Sequence, residues 1–79
     1  PGVLDTRAVA FTSPADDVTT IAIDGYDPAT DKIVIVNYGQ TVLRDGIDYM
    51  LTGNGITLLR MALTKDDVIQ FYIAKQAID

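Results

Sequence analysis

Clusters of turn-forming residues punctuate this chain so regularly that they restrict it to short extended segments joined by tight turns. "SPADD", "DGYDPATD", "NYGQ", "RDG", "GNG" and "TKDD" recur at intervals of about eight to twelve residues, the cadence of an all-β sandwich or barrel. The runs between them carry strand signals. "VTTIAI" (Val18–Ile23) places Thr19, Ile21 and Ile23 on one face and Thr20 and Ala22 on the other, a period of two. "DVIQFYI" (Asp67–Ile73) sets Ile69, Phe71 and Ile73 against Val68, Gln70 and Tyr72. "KIVIV" (Lys32–Val36) is apolar at every position after the lysine, as expected of a central strand covered on both sides. "IDYMLT" (Ile47–Thr52) and "GITLLR" (Gly55–Arg60) complete the main set, with thinner patterns at "RAVAFT" (Arg7–Thr12) and "QTVL" (Gln40–Leu43). "LLRMALTKDD" holds a partial helical stripe at Leu59, Ala62 and Leu63. It is too short to stand alone in water, so Met61–Asp66 reads as a connecting turn.

The expected fold is therefore a small antiparallel β-sandwich of about six or seven short strands. It forms a single domain over residues 1–79, with Pro1–Asp5 and Gln76–Asp79 as mobile ends. Gly53-Asn54-Gly55 is expected to close a hairpin, glycine supplying the positive φ that such turns need. Asp45-Gly46 makes the turn before it.

With 79 residues, a domain buries only about 60–65% of its unfolded surface and is marginally stable by itself. The chain has no cysteine and no histidine. Disulfides, thiolate metal sites and the commonest general base and zinc ligand are thereby removed. Packing and self-association remain as sources of stability, and 48% hydrophobic residues make packing feasible. The net charge of −5, with six cations against eleven acids, excludes a nucleic-acid footprint, which needs clustered lysine and arginine to neutralise phosphates. Anionic membrane surfaces are disfavoured for the same reason. No apolar run approaches the ~20 residues that span a bilayer. The opening "PGVLDTR" has neither Met nor a signal-like apolar stretch, so a processed chain or an excised piece is expected. The lack of cysteine fits a cytosolic origin.

Carboxylates are the only catalytic raw material: Asp16/Asp17, Asp27/Asp31, Asp45/Asp48 and Asp66/Asp67. A working acid needs burial to raise its pKa, whereas these residues fall in turns, where aspartate bonds local backbone. The loops "DPATDK" and "DGIDY" offer calcium-type ligands, but neither follows the EF-hand pattern and the chain contains no glutamate. "GNG" lacks the flanking residues and the helix of a phosphate loop. Ser13 is the only serine and precedes Pro14. No enzyme, metal or cofactor is expected. Tyr26, Tyr38, Tyr49 and Tyr72 are suited to stacking on a sugar ring, although strand tyrosines of small sandwiches commonly cap the core edge. Tyr26 and Tyr38 are the ligand-facing candidates.

From Phe11 to Ile73 the order of motifs resembles a module of tailed-bacteriophage virion appendages: tail fibres, head fibres and baseplates. It runs "FTSPADDVTTIAI", "DGYDPATD", "KIVIVNYGQTVL", "DGIDYMLTGNGITLL" and "ALTKDDVIQFYI". Gly46, Asp48 and Tyr49 match a Gly-x-Asp-Tyr step, and Ile56 and Leu58 match Ile-x-Leu. Tyr38-Gly39 stands where the family has Asn-Gly, and Lys65-Asp66-Asp67 lacks the family's Gly-Asp turn. The resemblance implies a non-catalytic structural and assembly module, trimeric in its parent fibre or baseplate and in contact with other virion proteins. Made in the bacterial cytoplasm, it would end up in the virion. Its alternative is a carbohydrate- or receptor-binding module at a fibre tip or on a surface adhesin, contacting a host surface glycan. It also makes Asp48-Tyr49 a structural signature, with Tyr49 packed at the sandwich edge and Asp48 bonded to turn backbone.

Overall fold

The computed structural model describes residues 5–75. Seven strands form in the order β1 (Asp5–Thr12), β2 (Thr20–Ala22), β3 (Asp31–Tyr38), β4 (Thr41–Leu43), β5 (Tyr49–Thr52), β6 (Gly55–Leu58) and β7 (Val68–Lys75). They build two antiparallel sheets, β1-β7-β3-β4 and β2-β6-β5. No helix forms among the described residues, and Met61–Asp66 is the connecting turn expected. The expected mobile ends lie outside the described residues, except for Asp5, which pairs with Lys75 at the start of β1.

The four-stranded sheet is organised in rows. Val9, Phe71, Val36 and Leu43 stand side by side across β1, β7, β3 and β4. Phe11, Ile69 and Tyr38 form the next row. The facing sheet contributes Ile21, Ile56, Leu58 and Tyr49, and with Ile23 and Leu63 these side chains form one core. Phe71, Ile69, Ile73, Val36, Ile56 and Leu63 are wholly enclosed. Burial of this continuous apolar interior is the main favourable term for a chain without covalent cross-links.

"KIVIV" does not behave as a strand covered on both sides. Val34 and Ile35 are 54% and 39% exposed. The unbroken apolar run has another cause: a β-bulge between Ile33 and Ile35. Before it Ile33 stands opposite Ile73, and after it Ile35 stands opposite Tyr72 and Val36 opposite Phe71. One extra residue switches which parity faces the core. A segment that changes phase in mid-strand shows no alternation, although only one face is buried.

Both two-residue hairpins begin with glycine at positive φ: Gly39 (+60°) between Tyr38 and Thr41, and Gly53 (+54°) between Thr52 and Gly55. Glycine first and a larger residue second suits the turns that match strand twist. Gly55 has a different task, for its φ is not positive. It lies on β6 opposite Ala22, and a Cβ there would stand 1.8 Å from the Ile21 carbonyl oxygen. Gly55 is what allows β2 to approach β6. Gly53→Ala should cost about 1–2 kcal/mol, the ordinary penalty of a left-handed residue. Gly55→Ala should cost upwards of about 3 kcal/mol, because rigid backbone must move. Urea denaturation of the two variants checks this order, and equal losses would contradict it.

Candidate functional site

Three aspartates share one local geometry. Asp31 accepts the Asp27 N–H at 2.8 Å, Asp48 the Arg44 N–H at 2.8 Å, and Asp67 the Thr64 N–H at 2.9 Å. In each case the carboxylate reaches back three or four residues and closes the turn that launches a strand, β3, β5 or β7. The backbone completes the closure: the Asp31 N–H donates to the Asp27 carbonyl, Asp48 to Arg44 and Asp67 to Thr64. Aspartate in a turn does this because its short side chain can replace a backbone acceptor.

Each carboxylate then recruits a further partner. Asp31, with a side chain only 4% exposed, takes Nη2 of Arg7 at 2.8 Å. The same guanidinium donates to the Gly25 carbonyl at 2.8 Å, pinning the β2–β3 loop to β1. Asp67 accepts the hydroxyls of Thr64 at 2.9 Å and of Tyr38 at 3.2 Å. Asp48 takes a longer contact from Nε of Arg44 at 3.5 Å, and its own carbonyl accepts the Leu59 N–H at 2.8 Å. All three carboxyls are held below the usual carboxylate range. For Asp31 the leading cause is the Arg7 hydrogen bond, for Asp48 the Arg44 N–H, and for Asp67 the Thr64 N–H. Asp16, by contrast, bonds across the chain, its Oδ1 accepting the Lys65 N–H at 2.9 Å. Depressed carboxyls serve as hydrogen-bond acceptors, not as proton donors at neutral pH. Among the described residues no three acidic side chains converge on a point that would hold a metal ion.

Asp48-Tyr49 has the structural geometry that the resemblance implies. Asp48 is the hub of its turn, and Tyr49 is buried at 5% exposure, its phenol raised by that burial. The two tyrosines marked as ligand-facing are not brought together. Tyr26 is a core residue, 9% exposed, with its phenol pushed up by burial and by the charges of Asp31 and Asp27. Tyr38 is half-buried, its phenol raised by the Asp67 contact. It does line an open concavity of about 410 Å³.

β4 supplies Thr41, Val42 and Leu43 to this concavity, Arg44 and Asp48 come from the following turn, and Arg60 and Met61 come from the segment after β6. The Asp48 turn is the reason these segments meet, because it bonds Arg44 through its carboxylate and Leu59 through its carbonyl. Sequence reasoning missed Arg44 and Arg60. They lie sixteen positions apart (60 minus 44), with no spacing rule to relate them. Compared with protein-family models, with curated proteins and with solved structures, the chain matches none.

The three depressed carboxyls give stability a defined pH dependence. In the unfolded chain aspartate takes up a proton near pH 3.9, whereas the folded carboxyls stay ionised to lower pH. The unfolded state therefore binds more protons across that window. Their contribution is complete above about pH 5 and is lost as pH falls from about 4 through the folded values. Melting temperature followed from pH 6 to pH 2 should drop steeply below pH 4, and the triple variant Asp31→Asn, Asp48→Asn, Asp67→Asn should show a lower plateau and a flatter acid limb. A variant curve parallel to the parent's would show that these carboxylates do not supply the dependence.

Proposed function

We propose that this domain is a non-catalytic structural and assembly module of a tailed-phage virion appendage, working through its sheet surfaces in contact with copies of itself and with neighbouring virion proteins. The observation that carries this reading is the outward face of the four-stranded sheet. Beyond the end row of Thr6, Ala74 and Lys32, its rows read Ala8, Tyr72, Ile35, then Ala10, Gln70, Asn37, Val42, then Thr12, Val68. No residue in these rows is charged, in a chain with 22% charged residues, and Val42 and Val68 are 58% and 44% exposed. Within the sheet's strands the charged residues are Asp5, Arg7, Asp31, Lys32 and Lys75, all near one end. Depletion of charge with retention of apolar and tyrosine side chains suits a protein contact surface. The motif order of residues 11–73 adds to it through the appendage resemblance. A trimer is the assembly proposed. Oligomerisation also adds the burial that a small core lacks.

A second reading, a carbohydrate- or receptor-binding module, draws on one specific observation: the concavity between β4 and the segment after β6, with Tyr38 and two arginines in its lining. The leading reading is tested by light scattering of the domain across a concentration series. Self-association up to trimer mass is expected, and Val42→Lys with Val68→Lys should return the mass to monomer while leaving the far-UV spectrum unchanged. A monomer at every concentration, or an oligomer indifferent to both lysines, would contradict assembly through this face.

A further inference from the structure

Six cations serve the whole chain, and two of them, Arg44 and Arg60, line the same concavity. Both stand near Asp48, and the charge of each acts on its carboxyl. The guanidinium of Arg60 makes no hydrogen bond or ion pair among the described residues. That of Arg44 has a single contact, the 3.5 Å approach to Asp48, and its side chain is 63% exposed. Asp48 is the only acid in the lining. One of its oxygens, Oδ2, is engaged by the Arg44 N–H and Nε, which leaves Oδ1 as an acceptor. Two arginines against one partly occupied carboxylate make this concavity locally cationic on a molecule of net charge −5.

The remaining lining is of another kind. Leu43 and Met61 belong to or pack against the core, so the concavity has apolar backing. Thr41 adds a hydroxyl at its side. At about 410 Å³ it falls within the range of small-molecule sites, which combine apolar walls with a few placed polar groups. A guanidinium fork matches a carboxylate in two parallel hydrogen bonds. A carboxylate-bearing sugar ring satisfies every part of this lining. Its acid group suits the arginines, its hydroxyls suit Thr41 and Asp48, and its C–H face suits Tyr38 and Met61. An acidic peptide would supply the charge but would leave the compact apolar backing and the free acceptor unmatched.

We propose that the concavity between β4 and the segment after β6 is a binding site for an acidic saccharide, a uronic-acid residue, with Arg44 and Arg60 as the carboxylate-recognising pair. This rests on the carbohydrate-binding reading above and makes it specific. The test is a nitrogen-15 NMR titration of the 79-residue chain with methyl glucuronoside and methyl glucoside, which differ at the sixth carbon. The glucuronoside should move the amide signals of Arg44, Asp48, Arg60 and Met61 saturably, and the glucoside should bind at least about tenfold more weakly. Arg44→Gln and Arg60→Gln should each weaken the glucuronoside about tenfold without lowering the melting temperature, and the double variant should abolish binding. Raising salt from 50 to 500 mM should weaken the acid sugar and leave the neutral one unchanged. Equal binding of both glycosides would overturn the acidic preference while leaving sugar binding standing. Silence with both would overturn the two readings together. A glutamate-rich peptide moving the same signals while both glycosides are silent would replace the saccharide with a protein ligand.

Discussion

A carboxylate that reaches back three or four residues to a backbone N–H is the interaction on which the rest of this structure depends. Asp31, Asp48 and Asp67 each make it, and each stands at or next to the first residue of a strand. The strands that follow carry Val36, Tyr49 and Phe71, all in the buried core. Because side chains alternate with a period of two, a turn that set its strand off by one residue would turn those side chains to solvent. A charged acceptor is stronger than a neutral one, and a short chain without disulfides has little else to fix its register. The preponderance of aspartate in the turns is thus a register device repeated along the chain.

Much of this was legible in the residues themselves, and the parts that were not share a physical cause. The all-β class, six or seven short strands and the shared face of Ile69, Phe71 and Ile73 follow from turn cadence and alternation; the structure has seven strands and buries that face. The turn role of the aspartates was legible too, since their local bonding depends on a few consecutive residues. What depended on distant neighbours was hidden. The bulge at Val34 erased the alternation from which burial is read, and Lys32–Val36 passed for a strand covered on both faces. In sequence Gly55 is indistinguishable from a turn glycine, and only the fold brings the Ile21 carbonyl against it. Tyr26 and Tyr38 look alike in sequence, each in a Gly- and Asp- or Asn-bearing turn. Only the fold separates a core phenol from one lining a concavity.

The same arrangement divides the surface by chemistry. Turn closure gathers the acids into loops and strand ends, and the outward face of the larger sheet is left with one charge, Lys32, at its end. The Asp48 turn also draws Arg44 and Arg60 to one concavity, since it bonds both neighbouring segments. A charge-poor sheet face suits docking to protein, and a small cationic hollow suits a ligand.

The most direct measurement follows the amide protons of Asp27, Arg44 and Thr64 by NMR as pH is lowered. Each donates to one of the three carboxylates, so each resonance should shift upfield as its acceptor takes a proton, with a midpoint below the ordinary aspartate value. Amide signals that stay flat through that range, or midpoints at or above the ordinary value, would show that these carboxylates do not hold the turns.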